Sequence, residues 1–365
     1  MFDRNRRILQ IVPQLPGTGD GVGDYALNLA KALSAQHGFE TVFGVARKTT
    51  VNETDGFPVI SDLDAGFNLP APDWDHVILH YVNYGYQARG VPRSLRRFVE
   101  VIRPKLAGRW VTTFHEIYAL GAPWQSAFWL RPFQVRIAHA MINASTSCIV
   151  SNPLIREIIH AYDAGKKVRL VPVMSNFGEP DLVDLSARSP HRWAICGGTA
   201  LIARSLRSFE ELRPLIPPEF APQHLDIVGG REDAAITLIV DRLKRDLSVH
   251  QYCEVTVDLA SEVLREAAFG WLDYFADGKI WPGMVLKSTA FAAFCAHGVI
   301  PILSHREEAI SLDGEPLPGP YFLKPDSSQF PSLSQLTAVR SRCFAWYRGH
   351  AHSHQAARIY AEALS

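Results

Sequence analysis

Short apolar runs alternate along this chain with longer stretches in which apolar residues recur every third or fourth position. The first run, Ile8-Leu9-Gln10-Ile11-Val12-Pro13, reads as a strand. It empties into a glycine-rich loop, Gly17-Thr18-Gly19-Asp20-Gly21-Val22-Gly23-Asp24, followed by an amphipathic helix over residues 25–33. The pattern then predicts strands at 41–46, 76–82, 110–115, 146–150 and 168–173, and helices at 94–106, 128–142 and 154–161. A polar, turn-rich stretch over 175–190 interrupts it. The alternation resumes with strands at 193–196, 225–228, 253–257, 271–275 and 299–303, and helices at 205–215, 234–247, 262–268 and 284–297. A last helical segment covers 336–364.

Alternating β and α elements imply parallel sheets covered on both faces, with ligands beyond the carboxyl ends of the strands. A chain of 365 residues is long for one core and suits two domains. The expected fold class is α/β, with two tandem Rossmann-like domains facing a central cleft. The first spans 1–178, a linker 179–191, the second 192–335, and C-terminal helices over 336–365 pack across the domains.

Composition narrows the function. Lysine plus arginine (37) equals aspartate plus glutamate (37), so no broad basic face advertises nucleic acid, and none is expected as a partner. Cys148, Cys196, Cys253, Cys295 and Cys343 are scattered without a CxxC pair, which fits a reducing cytoplasm and neither a disulfide framework nor a structural zinc. The charged start, Met1 to Arg7, runs straight into the first strand, and no run reaches the roughly 18 apolar residues of a membrane span. A cytoplasmic protein is expected, with a peripheral contact at the inner face of the membrane as an option.

Candidate chemistry gathers at strand ends. Gly19 and Gly21 let the backbone approach a ligand closely, and the helix behind them offers N–H groups and the positive end of its dipole to a phosphate or sugar. A tight turn without a ligand explains the same glycines. His115 and Glu116 follow an apolar strand and so belong at a sheet's carboxyl edge, where a satisfied structural histidine is the competing explanation. Tyr81, Asn83 and Tyr84 follow His80 at another strand end; rings that stack on sugars and an amide that bonds hydroxyls would make an acceptor wall, or the tyrosines simply pack a loop. Trp124, Phe128 and Trp129 suit a lid, a lipid-facing entrance or the packing of a helix start. The triplets Asp62-Leu63-Asp64 and Asp73-Trp74-Asp75 lie in a turn-rich segment, and His297, His305, His350, His352 and His354 lack metal-ligand spacing. No metal is expected, and the terminal histidines read as a solvated segment.

The glycine-rich loop, Phe114-His115-Glu116, Val171-Pro172-Val173-Met174-Ser175-Asn176, Asp226-Ile227-Val228-Gly229-Gly230 and Phe294-Cys295-Ala296-His297-Gly298-Val299-Ile300-Pro301-Ile302, in that order across almost the whole chain, resemble GT-B glycosyltransferases, nearest to family 4. The resemblance implies transfer of a sugar from a UDP- or GDP-sugar held chiefly by the second domain to a saccharide or glycolipid acceptor held chiefly by the first. It implies no cofactor and no metal, retention of anomeric configuration, and a role in polysaccharide or glycoconjugate biosynthesis. His115 and Glu116 become the catalytic candidates. Gly19, Gly21, Gly198, Thr199, Arg204, Gly229, Lys287, Ser288 and Thr289 become donor-binding candidates, and Asp24, Tyr81, Asn83 and Tyr84 acceptor-binding ones. Where the family carries a pair of glutamates two turns apart before its alanine-His-Gly stretch, this chain has Val285 and Ala293, and of a phosphate-contacting Arg and Lys pair it keeps one cation, Arg204. A non-catalytic nucleotide-sugar-binding protein and a nucleotide-sugar epimerase are the competing functions.

Overall fold

The computed structural model describes residues 6–16, 21–61, 74–119, 124–181, 184, 188–275, 280, 282–304, 311–312, 315–317, 321–324, 327–328 and 330–365. The chain forms two compact units, Met1–Pro172 with Ser353–Ser365, and Val173–His352.

The first unit runs β1 (Arg7–Val12), α1 (Gly21–His37), β2 (Glu40–Val45), β3 (Glu53–Thr54), β4 (Phe57–Ser61), β5 (His76–Tyr81), α2 (Asn83–Tyr86), α3 (Arg93–Ile102), β6 (Trp110–Phe114), α4 (Ser126–Ala144), β7 (Ser147–Val150), α5 (Pro153–Tyr162) and β8 (Val168–Leu170). The strand order is β3-β4-β2-β1-β5-β6-β7-β8, and every neighbouring pair is parallel except the β3–β4 edge. All six residues of β5 and all five of β6 are buried, as a parallel sheet covered on both faces requires. From β1 the chain goes first to β2 on one side and then to β5 on the other, which opens a crevice at the carboxyl ends of β1 and β5.

The second unit runs β9 (Arg192–Cys196), α6 (Thr199–Leu212), β10 (His224–Val228), α7 (Ala234–Leu243), β11 (Ser248–Tyr252), α8 (Val257–Glu266), β12 (Phe269–Leu272), α9 (Thr289–Ala296), β13 (Ile300–Ser304), the short strands β14 (Ser311–Leu312), β15 (Glu315–Pro316), β16 (Tyr321–Lys324) and β17 (Ser327–Ser328), and α10 (Leu336–Trp346). Its main sheet has the order β11-β10-β9-β12-β13-β16-β17, with β9 at the switch. The core is aromatic: the Trp193 ring stacks on Phe269 with centroids 4.8 Å apart, and Trp271 meets Phe209 edge-on at 5.5 Å.

Several expectations are corrected. The strand expected at 253–257 is absent: Ser248–Tyr252 is the edge strand beside β10, while Glu254 takes a φ of 48° and its N–H bonds the carbonyl of Gly230, closing a turn. The helix expected from Ser205 begins at Thr199. The helix expected over 284–297 divides at Ser288, a short 3₁₀ turn preceding α9. The first domain was expected to reach 178 with a linker over 179–191, whereas the second unit begins at Val173. Val173 donates its N–H to the carbonyl of Leu286, and Ser175 donates its N–H to the Tyr347 hydroxyl, so this turn-rich stretch is fastened to the second unit. The final segment forms two helices: α10 packs on α9 within the second unit, and α11 (Ser353–Leu364) returns to the first and lies along α1.

Candidate functional site

In the first unit, three adjacent parallel strands bring polar side chains together inside the sheet. Gln10 lies within β1, His80 near the end of β5 opposite Thr113 of β6, and His115 directly after β6. His80 Nε2 is 2.9 Å from Gln10 Oε1, and His80 Nδ1 is 3.2 Å from His115 Nε2. The Tyr25 ring, from α1, stands edge-on to His115 with centroids 5.1 Å apart. The Tyr25 hydroxyl is 3.3 Å from that of Tyr360 on α11, which in turn is 2.5 Å from Thr113 Oγ1.

All six residues are buried, where an unpaired polar atom is costly; Gln10 Nε2 finds no partner among the described residues, and the other contacts carry the cluster. Burial lowers the His80 pKa to about 3 and raises that of Tyr25 to about 12, so both are neutral near pH 7. An amide oxygen only accepts. With Gln10 Oε1 at His80 Nε2, that nitrogen carries the proton, and His80 Nδ1 accepts from a proton on His115 Nε2. The chain of contacts thereby fixes the orientation of the His115 ring from behind.

Around this cluster the expected residues fall as follows. Gly21 opens α1, and a Cβ there would meet nothing within 4 Å; Asp24 is half-buried in the same first turn. Gly19 lies outside the described residues. Glu116 is half-buried beside His115. Tyr84 is 38% exposed, and its hydroxyl accepts from Gln134 Nε2 at 3.1 Å. Asn83 is buried at the start of α2. Tyr81 is a correction: as the last residue of a strand buried on both faces, it is wholly enclosed with its ring edge-on to Phe114, and offers no face to an acceptor.

In the second unit the strand-end loops after β9 and β10 meet. Gly229 takes a φ of 95°, and a Cβ there would lie 2.7 Å from the carbonyl oxygen of Gly197. Only glycine lets the two loops approach so closely. The helices α7, α8 and α9 are capped by side chains: Asp233 accepts from the N–H groups of Ala235 and Ile236, Thr256 from Leu259, Ser288 from Phe291. By contrast, α6 starts at Gly198 without a side-chain cap, and a Cβ on Gly198 would meet nothing within 4 Å. The first turn of α6 thus has N–H groups that no side chain caps, with the positive end of the helix dipole behind them.

Thr199 begins that helix, its hydroxyl accepting from the N–H of Arg231. One turn on, Arg204 donates from Nε to the carbonyl of Asp273, just past β12, at 2.7 Å. That bond holds the guanidinium at the carboxyl end of β12. Lys287 is half-buried before α9, and Thr289 is the first residue of that helix. Ser288 is buried, and its hydroxyl accepts from the N–H of Phe291 as the cap of α9.

Among the described residues no three His, Cys, Asp or Glu side chains are placed to hold a metal. Asp62, Asp64, Asp73 and His305 lie outside them. The terminal histidines are not a uniformly solvated segment, because His352 is buried with its Nε2 3.0 Å from an Arg348 nitrogen.

Sequence reasoning passed over Gln10, Tyr25, Thr113 and Tyr360 and used His80 only as a landmark. A signal was present: a glutamine inside an apolar strand run, and a histidine inside another, must be paired if the run is buried on both faces.

No protein-family model and no curated protein matches the chain in sequence. Solved structures match over its whole length. An alpha-glucosyltransferase in complex with UDP and a 13-mer DNA containing an HMU base superposes with a TM-score of 0.60 at 12% identity, covering 99% of each chain. A glycosyltransferase from Rickettsia africae gives 0.57 at 12% identity, again over 99% of each. A trehalose-6-phosphate protein from E. coli, bound with UDP-2-fluoro glucose, gives 0.56 at 9% over 98% of each. The fold is that of the GT-B glycosyltransferases.

The DNA complex overturns one expectation. A balanced net charge does not exclude nucleic acid, since an alpha-glucosyltransferase of this fold is seen in complex with DNA. Net charge is a sum over the whole molecule, whereas phosphate contact depends on where cations cluster, so neutrality excludes nothing here.

Proposed function

We propose that this chain is a glycosyltransferase that moves a sugar from a UDP- or GDP-sugar to a saccharide or glycolipid acceptor in polysaccharide or glycoconjugate biosynthesis. It works in the cytoplasm, with glycolipid acceptors reached at the inner face of the membrane. The observation that carries this reading is the whole-chain likeness to glycosyltransferase structures that hold UDP or a UDP-sugar. The uncapped start of α6 at Gly198 and Thr199, with Arg204, Gly229, Lys287 and Thr289 nearby in the fold, supplies what a diphosphate needs: N–H donors, a helix dipole and cations.

The pyrophosphate gains negative charge as the glycosidic bond breaks, and fixed donors and cations lower that barrier without a metal. In the first unit, Gly21, Asp24, Glu116 and the oriented ring of His115 bind and position sugar hydroxyls. A reaction with retained configuration relies on such positioning and charge stabilisation more than on an enzyme base. The family 4 pattern, with Val285 and Ala293 in place of its glutamates, makes a distinct choice of sugar the expected consequence.

A mixed panel of UDP- and GDP-sugars, offered with saccharide, glycolipid and HMU-containing DNA acceptors in the presence of EDTA, tests the reading. Release of nucleoside diphosphate together with a new glycosidic bond supports it. Binding without turnover would make the chain a non-catalytic binding protein, and interconversion of the donor sugar an epimerase.

A further inference from the structure

The solvent side of the first unit carries an arginine cluster that the chain's neutral total conceals. Helix α3 buries Leu95, Phe98, Val99 and Ile102 and turns Arg93, Arg96 and Arg97 outward. Helix α4, packed beside it, buries Gln134, Ile137, Ala138, Met141 and Ile142 and turns Trp129, Phe133 and Arg136 outward. Between them runs a groove of about 450 Å³ whose walls include Arg93, Arg97, Phe133 and Arg136. A second hollow of about 410 Å³ shares Arg93 and Phe133 and adds Arg89 and Leu130.

Arg96 pairs with Glu100 at 2.7 Å. Arg89, Arg93, Arg97 and Arg136 have no carboxylate partner among the described residues. Arg93, Arg97 and Arg136 line the first groove together with the Arg96–Glu100 pair, and Arg89 lines the neighbouring hollow, so the cations on this face outnumber the one carboxylate and repel one another, a cost that an anionic partner removes.

The same surface is apolar in a particular way. On α4, Trp129 and Phe133, one turn apart, are 70% and 44% exposed, and Trp124, which precedes the helix, is 84% exposed. Large rings this exposed are unfavourable in water and mark an interaction surface. Tryptophan carries an apolar body with one polar N–H and settles at the boundary between headgroups and acyl chains, while arginine keeps its charge among phosphates and lays its stem on apolar surface.

We propose that the α3–α4 face of the first unit docks on an anionic lipid bilayer, with Trp124, Trp129 and Phe133 entering the interface and Arg89, Arg93, Arg97 and Arg136 on lipid phosphates. Arginines alone would suit a nucleic-acid backbone equally; the exposed indoles beside them favour the bilayer, because a paired duplex offers them no apolar layer to enter. The proposal deepens the glycolipid arm of the function above and rests on it for where the acceptor lies. Its test needs no turnover, so the two fail separately.

The full-length chain is sedimented with vesicles of phosphatidylcholine alone and with about one third phosphatidylglycerol, and tryptophan emission is recorded. Binding to the anionic vesicles with a blue shift, weakened by salt, is expected. The R93Q/R97Q/R136Q variant, checked for an unchanged melting temperature, should lose about fivefold in partition per arginine. W129S/F133S should lose the blue shift. Equal partition onto neutral vesicles, or unchanged binding by the arginine variant, overturns the proposal. Salt-sensitive binding to duplex DNA through the same arginines, without vesicle binding, overturns it in favour of nucleic acid.

Discussion

His80 Nδ1 lies 3.2 Å from His115 Nε2, with His80 backed at 2.9 Å by Gln10 Oε1, so a residue at the end of one strand is aimed by two others inside the sheet. The bonding order sets the tautomers: a proton on His80 Nε2 and another on His115 Nε2. Nitrogen-15 shifts of the two imidazoles read this directly. A proton on His80 Nδ1 would reverse the order and require the Gln10 amide to face the other way.

His115→Ala removes the end of that chain. If the ring stabilises the sugar in the transition state, turnover should fall about a hundredfold while nucleotide affinity stays nearly unchanged. A purely structural histidine predicts the opposite: a lower melting temperature with ordinary activity in the folded fraction. Kinetics and calorimetry on one preparation separate the two.

Arg204→Ala should weaken UDP or GDP binding by roughly 1.5–3 kcal/mol if the guanidinium meets a phosphate oxygen. Titration calorimetry on the folded variant measures it. Unchanged affinity for both nucleotides would remove Arg204 from the donor site.

Two glycines at adjacent strand ends should respond oppositely. Gly198 faces open space, so Gly198→Val should leave the melting temperature nearly intact and weaken nucleotide binding by filling the space before α6. Gly229 has a positive φ and a carbonyl 2.7 Å from any Cβ, so Gly229→Ala should destabilise the unit by about 1–3 kcal/mol. Thermal melts with and without UDP distinguish them.

Acid should unfold the protein through its buried histidines. Burial lowers the pKa of His80 to about 3 and, in the second unit, that of His297 to about 4. Below the ordinary histidine pKa the unfolded chain binds protons that the folded chain refuses. Stability is thus full above about pH 6.5 and falls toward pH 4 by about 1.4 kcal/mol per pH unit for each histidine. Denaturant melts from pH 7 to 4 should show this slope, and a melt flat across that range would contradict the buried neutral state.

Local pattern determined the architecture. Runs such as His76–Tyr81 are apolar enough to be buried on both faces, and the helices between them are amphipathic, so two parallel-sheet units could be read before any coordinates. The glycines at 197–198 and 229–230 marked strand-end loops for the same reason, because their conformation is a local demand. Edges were not legible: Ser248–Tyr252 has one buried residue and takes its strand conformation from β10, while the better-looking alternation after it is a turn. Nor was the return of α11 to the first unit, where Tyr360 completes the cluster with Tyr25 and Thr113, more than three hundred and two hundred residues away in sequence respectively. The charge of the α3–α4 face was hidden in a neutral total. Such juxtapositions depend on which strands become neighbours and which helix faces remain outside, and that is settled by packing across the whole chain, not by any stretch of it.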